Sequence, residues 1–595
     1  IKSDSTFVFV TPREWTGADA WIIANQKGWK KLVVYTAVEL EVWIEKCPTV
    51  GLWLADKLNI LNAGGYQLPD VYWMQWASGD KYSLPYQIVT AGRDQVIDRV
   101  LKACFELSIL EIQALTQSEA VAFVLASIVT CNDADKLQAK TIVVTDKNTF
   151  DDLVSHYENL IIITTLRDNM SYALSHNHTV ICAVTPEDQV PTAVKLPRVE
   201  REGFVKAIED CGFDSIQARK IATDTARDVN VLRRRMKIDK LKPEWANSDG
   251  ISALLPIILL GQWNENVPGD LKLVEKLSGK TYSDYAKILQ GFRLMSDSPI
   301  AHIGTVWRLR SPMDAMAYAS VYLTDGDLAK LKEVCELLIA DDDPEAVDKV
   351  TSDGWRMWQF KQQFSSNVKK GTYQSLILLS LINDDSGNKN IWVDGLVREL
   401  LNGWTLQRFL SNRTYFTLLA EASPEAFLGF LEETGQDIYD VVFTPQKYSL
   451  GLTGWNIYYT EILFALEMLA WDEDYIYRAT SLLLRFSTYK NESNYANKPI
   501  NSLAEIFRFQ LPQTFAKFEN KIEVLTSLSS SFRTLICELC FHILNSLGAE
   551  TFSQTHFYKW RHFSDLSSPK YIPVPIDNVK AVTKLLLNCT TFSED

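Results

Sequence analysis

Between residues 93 and 184 the sequence alternates without a break. The helix-like run "RDQVIDRVLKACFEL" leads to "ILEIQAL", a helix over 119–130 leads to "TIVVTD", "TFDDLVSHYE" leads to "NLIIITT", and "NMSYALSHN" leads to "TVICAV". Apart from Glu111 and Gln113 in "ILEIQAL", the four short runs are apolar through their centres rather than at every second residue. Strands of that kind are buried on both faces, and strands that alternate with helices build a parallel sheet covered on both sides. The pattern predicts an α/β core over 66–197, closing near Pro191–Pro197.

The flanks read differently. "TFVFV" and "KLVVYT" are two more strands, each followed by a helix, and together they are too short for a domain. The chain opens on Ile1, so residues 1–65 read as the truncated α/β end of an upstream domain plus a linker. Residues 198–245 are helical and charged. Residues 246–325 carry short helices and then "IAHIGTVWRLRSPMDAMAYA", a hairpin followed by a helix, which fits a winged-helix-like unit. From 326 to 595 apolar residues recur at three and four spacing, as in "YTEILFALEMLAW" and "SFRTLICELCFHILNSLG". Helix pairs of this length predict an irregular α-helical solenoid.

The balance of charge and cysteine narrows the setting. A net charge of −14 over 595 residues argues against a protein coated for nucleic acid. Nine cysteines, mostly isolated in apolar runs, make no disulfide framework and predict reduced thiols in the cytoplasm. No run of eighteen apolar residues predicts a membrane span.

The stretch best placed for chemistry is the turn "ALTQSEA", 114–120, between a buried strand and a buried helix. A phosphate-binding loop works there by wrapping phosphates in glycine N–H groups while a lysine neutralises them. This turn offers Thr116 and Ser118 but no glycine and no lysine, and Glu119 sets a negative charge beside any phosphate. The strand "LIIITTLRD" ends in Thr164 and Thr165, where a magnesium-holding acid is absent, and Asp146 alone is a weak substitute. Three readings stay open: a hydrolytic site, a nucleotide site without hydrolysis, and, favoured, a structural turn. The run "LRRRMK", 232–237, is either a solvated helix face or a phosphate contact through Arg233. Cys537 and Cys540 with His542 have metal-like spacing, but no second pair lies nearby, so they read as core thiols. His176 and His178 read as a loop above the sheet, and "DDDPE", 341–345, as a loop that starts a helix.

At "TAGRD", 90–94, followed by strand, turn and helix, the chain resembles the start of the NTPase core of the bacterial STAND proteins, signal-transduction ATPases of antiviral defence. "VNVLRRRMK" resembles the helical lid after such cores, and "IGTVWRLRSPMDA" the winged helix after the lid. "FVFVTPREW" and the run "ADAWIIANQKGWKKLVVYTAVELEVWIEKCPTVGLWLADKL" resemble a linker between a restriction-endonuclease-like domain and the core. "LLAEASPEAFLGFLEE" and "NKPINSLAEIFRFQLPQT" resemble the helical sensor half. The resemblance implies a multidomain chain: a degenerate P-loop-like α/β core (66–197), a helical lid (198–245), a winged helix (246–325) and a helical sensor (326–595). It implies ATP or ADP as ligand, with Gly92 and Arg93 matching the opening motif and Arg233 near the lid arginine. It also implies a protein or nucleic-acid trigger at the helical region, an upstream effector domain and self-assembly. The sequence leaves two alternatives: an active ATPase with a non-standard site, and a non-enzymatic interaction scaffold.

Overall fold

The computed structural model describes residues 2–58, 65–240, 242–347, 362–382, 388–444, 446–447, 455–490, 495–547, 556–561 and 574–590. These form two compact units. The first holds residues 1–212, 227–241 and 294–297, and the second the remainder.

The first unit opens with two parallel strands, β1 (Thr6–Val10) and β2 (Lys31–Tyr35), paired from Thr6 with Lys31 to Val10 with Tyr35. Helices Ala18–Asn25 and Ala37–Lys46 accompany them, and the second is closed at its start by a capping box between Thr36 and Glu39. All of β1 is exposed, although its residues are apolar after Thr6.

The main sheet of this unit has six strands. They are β3 (Tyr66–Gln67), β4 (Ile109–Gln113), β5 (Thr141–Val144), β6 (Ile161–Thr164), β7 (Thr179–Val184) and β8 (Val194–Lys195). Their order across the sheet is β3-β5-β6-β7-β4-β8. All pairs are parallel except β3 with β5. The expected parallel α/β sheet is therefore present. The antiparallel edge strand β3 departs from the expectation, because "NAGGYQLPD" reads as a break. Two paired residues are too short to show a strand periodicity.

Every residue of β5, β6 and β7 is buried, which is why these runs are apolar throughout. Ile142, Val144, Ile162 and Val180 pack with Phe150, Leu153 and Val154 of the helix Lys147–His156. The residues between them, such as Val143, Ile163 and Ile181, are buried on the opposite face. The helix Gln117–Val129 packs on β4, β6 and β7 and buries ten consecutive residues, Glu119 to Ile128.

The chain leaves β4, passes over β7 and β6 to reach β5, steps back through β6 to β7, and then crosses β4 to β8. Beside β4 the connections run in opposite directions, the one leaving it toward β5 and the last one past it to β8. Outside the carboxyl ends of the strands at such a reversal, open α/β sheets hold their ligands. The turn 114–118 sits at that place.

The second unit contains a small antiparallel sheet of β9 (Gln262–Asn264), β10 (Ile300–Ile303) and β11 (Val306–Leu309), with β11 central. Helices Ser248–Leu260, Pro268–Ser278 and Tyr282–Leu294 accompany it in chain order. Glu265 ties this part together, accepting from Tyr282 Oη at 3.0 Å and Trp307 Nε1 at 3.1 Å, with His302 Nε2 at 3.1 Å. From Asp325 onward the described elements are helices, apart from the two-residue strands Gln446–Lys447 and Trp455–Asn456. Their interior is built from rings such as Phe409, Phe416, Phe430 and Tyr439.

The helical block expected over 198–245 is divided. Helices Arg201–Glu209 and Val229–Arg235 belong to the first unit and Ser215–Asp224 to the second. Ala226 and Arg227 both take left-handed backbone, with φ of 52° and 56°, so the chain reverses there rather than running on as helix. Asp214 caps the middle helix, and Ser311 Oγ donates to Asp224 O at 3.2 Å.

Candidate functional site

The helix after β4 begins with Thr116, whose Oγ1 accepts from Glu119 N at 3.2 Å. A hydroxyl at this position satisfies one of the helix's free N–H groups and fixes where the helix starts. Between Ala120 and Ile128 the helix is apolar on all sides except at Ser127, because it is buried, and its charged residue lies at its start. Glu119 lies in its first turn with its side chain 6% exposed.

That carboxylate is fully engaged. Glu119 Oε1 accepts from Arg93 Nη2 at 3.0 Å, and Oε2 accepts from Asn230 Nδ2 at 3.3 Å. Asn230 Oδ1 in turn accepts from Thr116 Oγ1 at 2.9 Å, and Thr116 Oγ1 lies 3.2 Å from Ser118 Oγ. Asn230 comes from the helix Val229–Arg235, whose first turn Asp228 caps through the N–H groups of Asn230 and Val231. The chain's own amide and carboxylate thus fill the mouth of the turn, where a ligand's phosphate would lie in a nucleotide site. The other side is also held. Leu115 O accepts from Asp297 N at 2.9 Å and Ser296 Oγ at 3.3 Å, while Asp297 pairs with Arg234.

Arg93 is committed on every nitrogen. Nε donates to Pro197 O at 2.8 Å, Nη1 to Val89 O at 2.9 Å and Nη2 to Glu119, while its plane lies over Phe123. It is 4% exposed. Gly92 takes φ +71°, and a Cβ there would come within 2.4 Å of Glu200 Cβ, so close packing on Glu200 accounts for the glycine. Arg233 is also buried. Its Nε donates to Trp76 O at 3.0 Å, its Nη1 pairs with Asp239 at 3.0 Å, and it stacks over the Trp76 ring at 4.6 Å. Of the residues singled out in the sequence, Arg93, Thr116 and Ser118 share one hydrogen-bonded cluster. Gly92 adjoins it, and Arg233 serves a separate contact with Trp76.

The sequence did not reveal Asn230. Its one signal was the "DVNV" cap-and-helix start, which places a polar side chain at the beginning of a buried helix. Glu119 stood out only as a charge hostile to phosphate. Its pairing with Arg93, 26 residues earlier, has no sequence signature.

Other candidates fall to ordinary roles. Asp146 caps the helix Lys147–His156, accepting from Thr149 N at 2.8 Å and Thr149 Oγ1 at 2.9 Å, which lowers its pKa. Thr164 Oγ1 accepts from Leu166 N at 3.0 Å. Buried His178 uses Nδ1 to accept from Leu160 N at 3.2 Å, and burial lowers its pKa. Cys540 is buried on its helix, and burial pushes its thiol up to about 12. No group of three metal-ligating side chains lies together among the described residues. In the acidic run at 341–345, Asp341 pairs with the fully buried Lys369 at 3.1 Å and accepts from Gln363 N at 2.9 Å, and the helix expected after the run lies largely outside the described residues.

No helix among the described residues is long and apolar enough to cross a membrane. Comparison with family models, with curated proteins and with solved structures finds no match for the chain.

Proposed function

We propose that the chain is the regulatory and sensing part of a STAND-like bacterial defence protein, with an α/β core that works without nucleotide turnover. The observation that carries this reading is the closed cluster of Arg93, Glu119, Asn230 and Thr116 at the point where the sheet reverses. A site for nucleotide hydrolysis needs open donors and a cation there, and this one presents a carboxylate already bonded on both oxygens. The sheet order, the strand–helix turn beside β4, and the helix–strand–helix–helix–hairpin sequence of β9 to β11 all suit a degenerate NTPase core followed by a winged helix. The helical region then serves recognition. Its packed helices leave long faces for a foreign protein or nucleic acid, and the core passes that event to an effector domain, through self-assembly of the chain.

The test is capture of partners by the full chain from bacterial cells with and without phage infection. One foreign component enriched only after infection is the expected result. Identical partner sets in both conditions would overturn the sensing role. An active ATPase would instead give saturable, magnesium-dependent turnover that Arg93→Ala abolishes.

A further inference from the structure

The helices Arg533–Asn545 and Ile576–Thr590 pack side by side in the second unit. They run in opposite directions, since Arg533, the first residue of one, donates from Nε to Cys589 O near the end of the other at 2.8 Å. The helix Ile576–Thr590 is lightly held. Of its 15 residues only Val582 and Leu585 are buried, and Cys589 continues that stripe one turn further on.

Cys537 lies one turn beyond Arg533, on the face of its helix that meets Cys589. The sequence reads Cys537 as a core thiol, but it is half-buried, as is Cys589, whereas Cys540 is buried. Cys537 and Cys589 line one cleft together with Arg533, Phe541 and His542. Burial raises the pKa of the Cys589 thiol, the neighbouring Cys537 raises it further, and Arg533 draws it back. All nine cysteines are free thiols.

The packing of two helices sets how near such thiols come. Packed helices lie about 8–10 Å apart between axes, and their Cα atoms sit about 2.3 Å from each axis. Residues facing each other across the seam therefore have Cα atoms roughly 3.5–5.5 Å apart, which overlaps the about 4.4–6.8 Å that a disulfide spans. The two thiols form no three-ligand group with another His, Cys, Asp or Glu among the described residues, so what they offer as a pair is oxidation. A helix fixed by two buried side chains also opens readily, so a covalent tie at its end changes its behaviour more than one inside a packed core.

We propose that Cys537 and Cys589 are an oxidation-sensitive pair that closes into a disulfide on exposure to peroxide and fastens the helix Ile576–Thr590 to the helix Arg533–Asn545. Cys537 reacts first, because burial holds the Cys589 thiol protonated. Its thiolate attacks one peroxide oxygen and breaks the O–O bond, giving a sulfenic acid and hydroxide, which takes up the Cys537 proton as the first water. The Cys589 thiolate then attacks the sulfenic sulfur. The S–S bond forms, the S–O bond breaks, and the hydroxide released takes up the Cys589 proton as the second water. Two electrons pass from the two sulfurs to the peroxide. Cys540 stays reduced beneath the seam. The proposal needs no partner and stands apart from the sensing reading.

The experiment uses the full chain and hydrogen peroxide. After digestion without reductant, mass spectrometry is expected to find the peptides carrying Cys537 and Cys589 joined, two hydrogen masses lighter than their sum, and parted again by dithiothreitol. Hydrogen exchange of the amides in 576–590 is expected to slow by about tenfold or more on oxidation and to recover on reduction. Cys589→Ser loses both effects, and Cys540→Ser keeps both. Cys537 carried on to sulfinic acid in the intact chain, with no joined peptide, would overturn the proposal. So would a bond between Cys540 and Cys589, or a Cys537–Cys589 bond that leaves exchange in 576–590 unchanged.

Discussion

Arg93 Nη2 donates to Glu119 Oε1 at 3.0 Å beneath the turn after β4, with both side chains buried. The pair joins the start of one helix to the first turn of another, at the point of the sheet where a ligand would be expected. Removing one partner strands a charge. Glu119→Ala is expected to lower stability by about 3–5 kcal/mol, whereas Arg93→Met combined with Glu119→Leu costs clearly less. Urea denaturation of the three variants checks this ordering.

Asn230 bridges Thr116 and Glu119 by single hydrogen bonds. Asn230→Ala leaves both without that partner and is expected to cost about 1–3 kcal/mol. Thr116→Ala loses the cap and costs about 1 kcal/mol. Neither variant gains affinity for nucleotide, because the lysine and glycines of a phosphate loop are still missing. Thermal melts and calorimetry with ATP on the same samples test both parts.

Two glycines give opposite expectations. Gly92 combines φ +71° with a Glu200 Cβ that lies 2.4 Å from where its own Cβ would sit, so Gly92→Ala destabilises by about 1–3 kcal/mol. Gly395 lies within the helix Asn388–Leu401, and nothing among the described residues lies within 4 Å of an added Cβ. Gly395→Ala therefore stabilises by about 0.5–1 kcal/mol. A denaturant midpoint of Gly92→Ala that does not fall would contradict the packing described at Gly92, and one of Gly395→Ala that does not rise the open space at Gly395.

Lys521 is 5% exposed, in the helix Phe518–Leu528, and burial pushes its ammonium down to about 8 from 10.5. The folded value lies below the unfolded one, so between the two the unfolded chain binds more protons and stability rises with pH. Below about pH 8 the folded state bears the full cost, on the order of 3 kcal/mol. Lys521→Met is expected to stabilise by about that amount at pH 7, with the gain shrinking as pH climbs from 8 toward 10.5. Paired melts across that range read the difference. A gain independent of pH would show that Lys521 is not the titrating group.

How much was legible depended on the range of the interactions. Strands β5 to β7 announced themselves because residues such as Ile161, Ile162 and Ile163 must be apolar on both faces. The helix after β4 was legible from its apolar run over 119–130, whereas its cap at Thr116 was not singled out. The division of residues 198–245 was not legible, since it follows from left-handed backbone at Ala226 and Arg227, neither of which favours it by type. The partners of Arg93, singled out by the opening motif, and of Arg233, singled out by the cationic run, were not legible. An arginine's sequence neighbours do not say that Val89 O, Pro197 O or Trp76 O will take up its donors. The hydrogen bonds of His556–Arg561 with Glu421, Glu467 and Trp471 join residues 85 to 140 positions apart, and no spacing rule reaches that far.

The closed turn is tested most directly by calorimetry of ATP and ADP, with and without magnesium, against the intact chain and the Arg93→Ala and Arg233→Ala variants. The side chains that fill the turn predict no heat of binding at millimolar nucleotide in any of the three. Saturable binding by the intact chain, weakened in both variants, would contradict the closure and make residues 114–120 a nucleotide site after all.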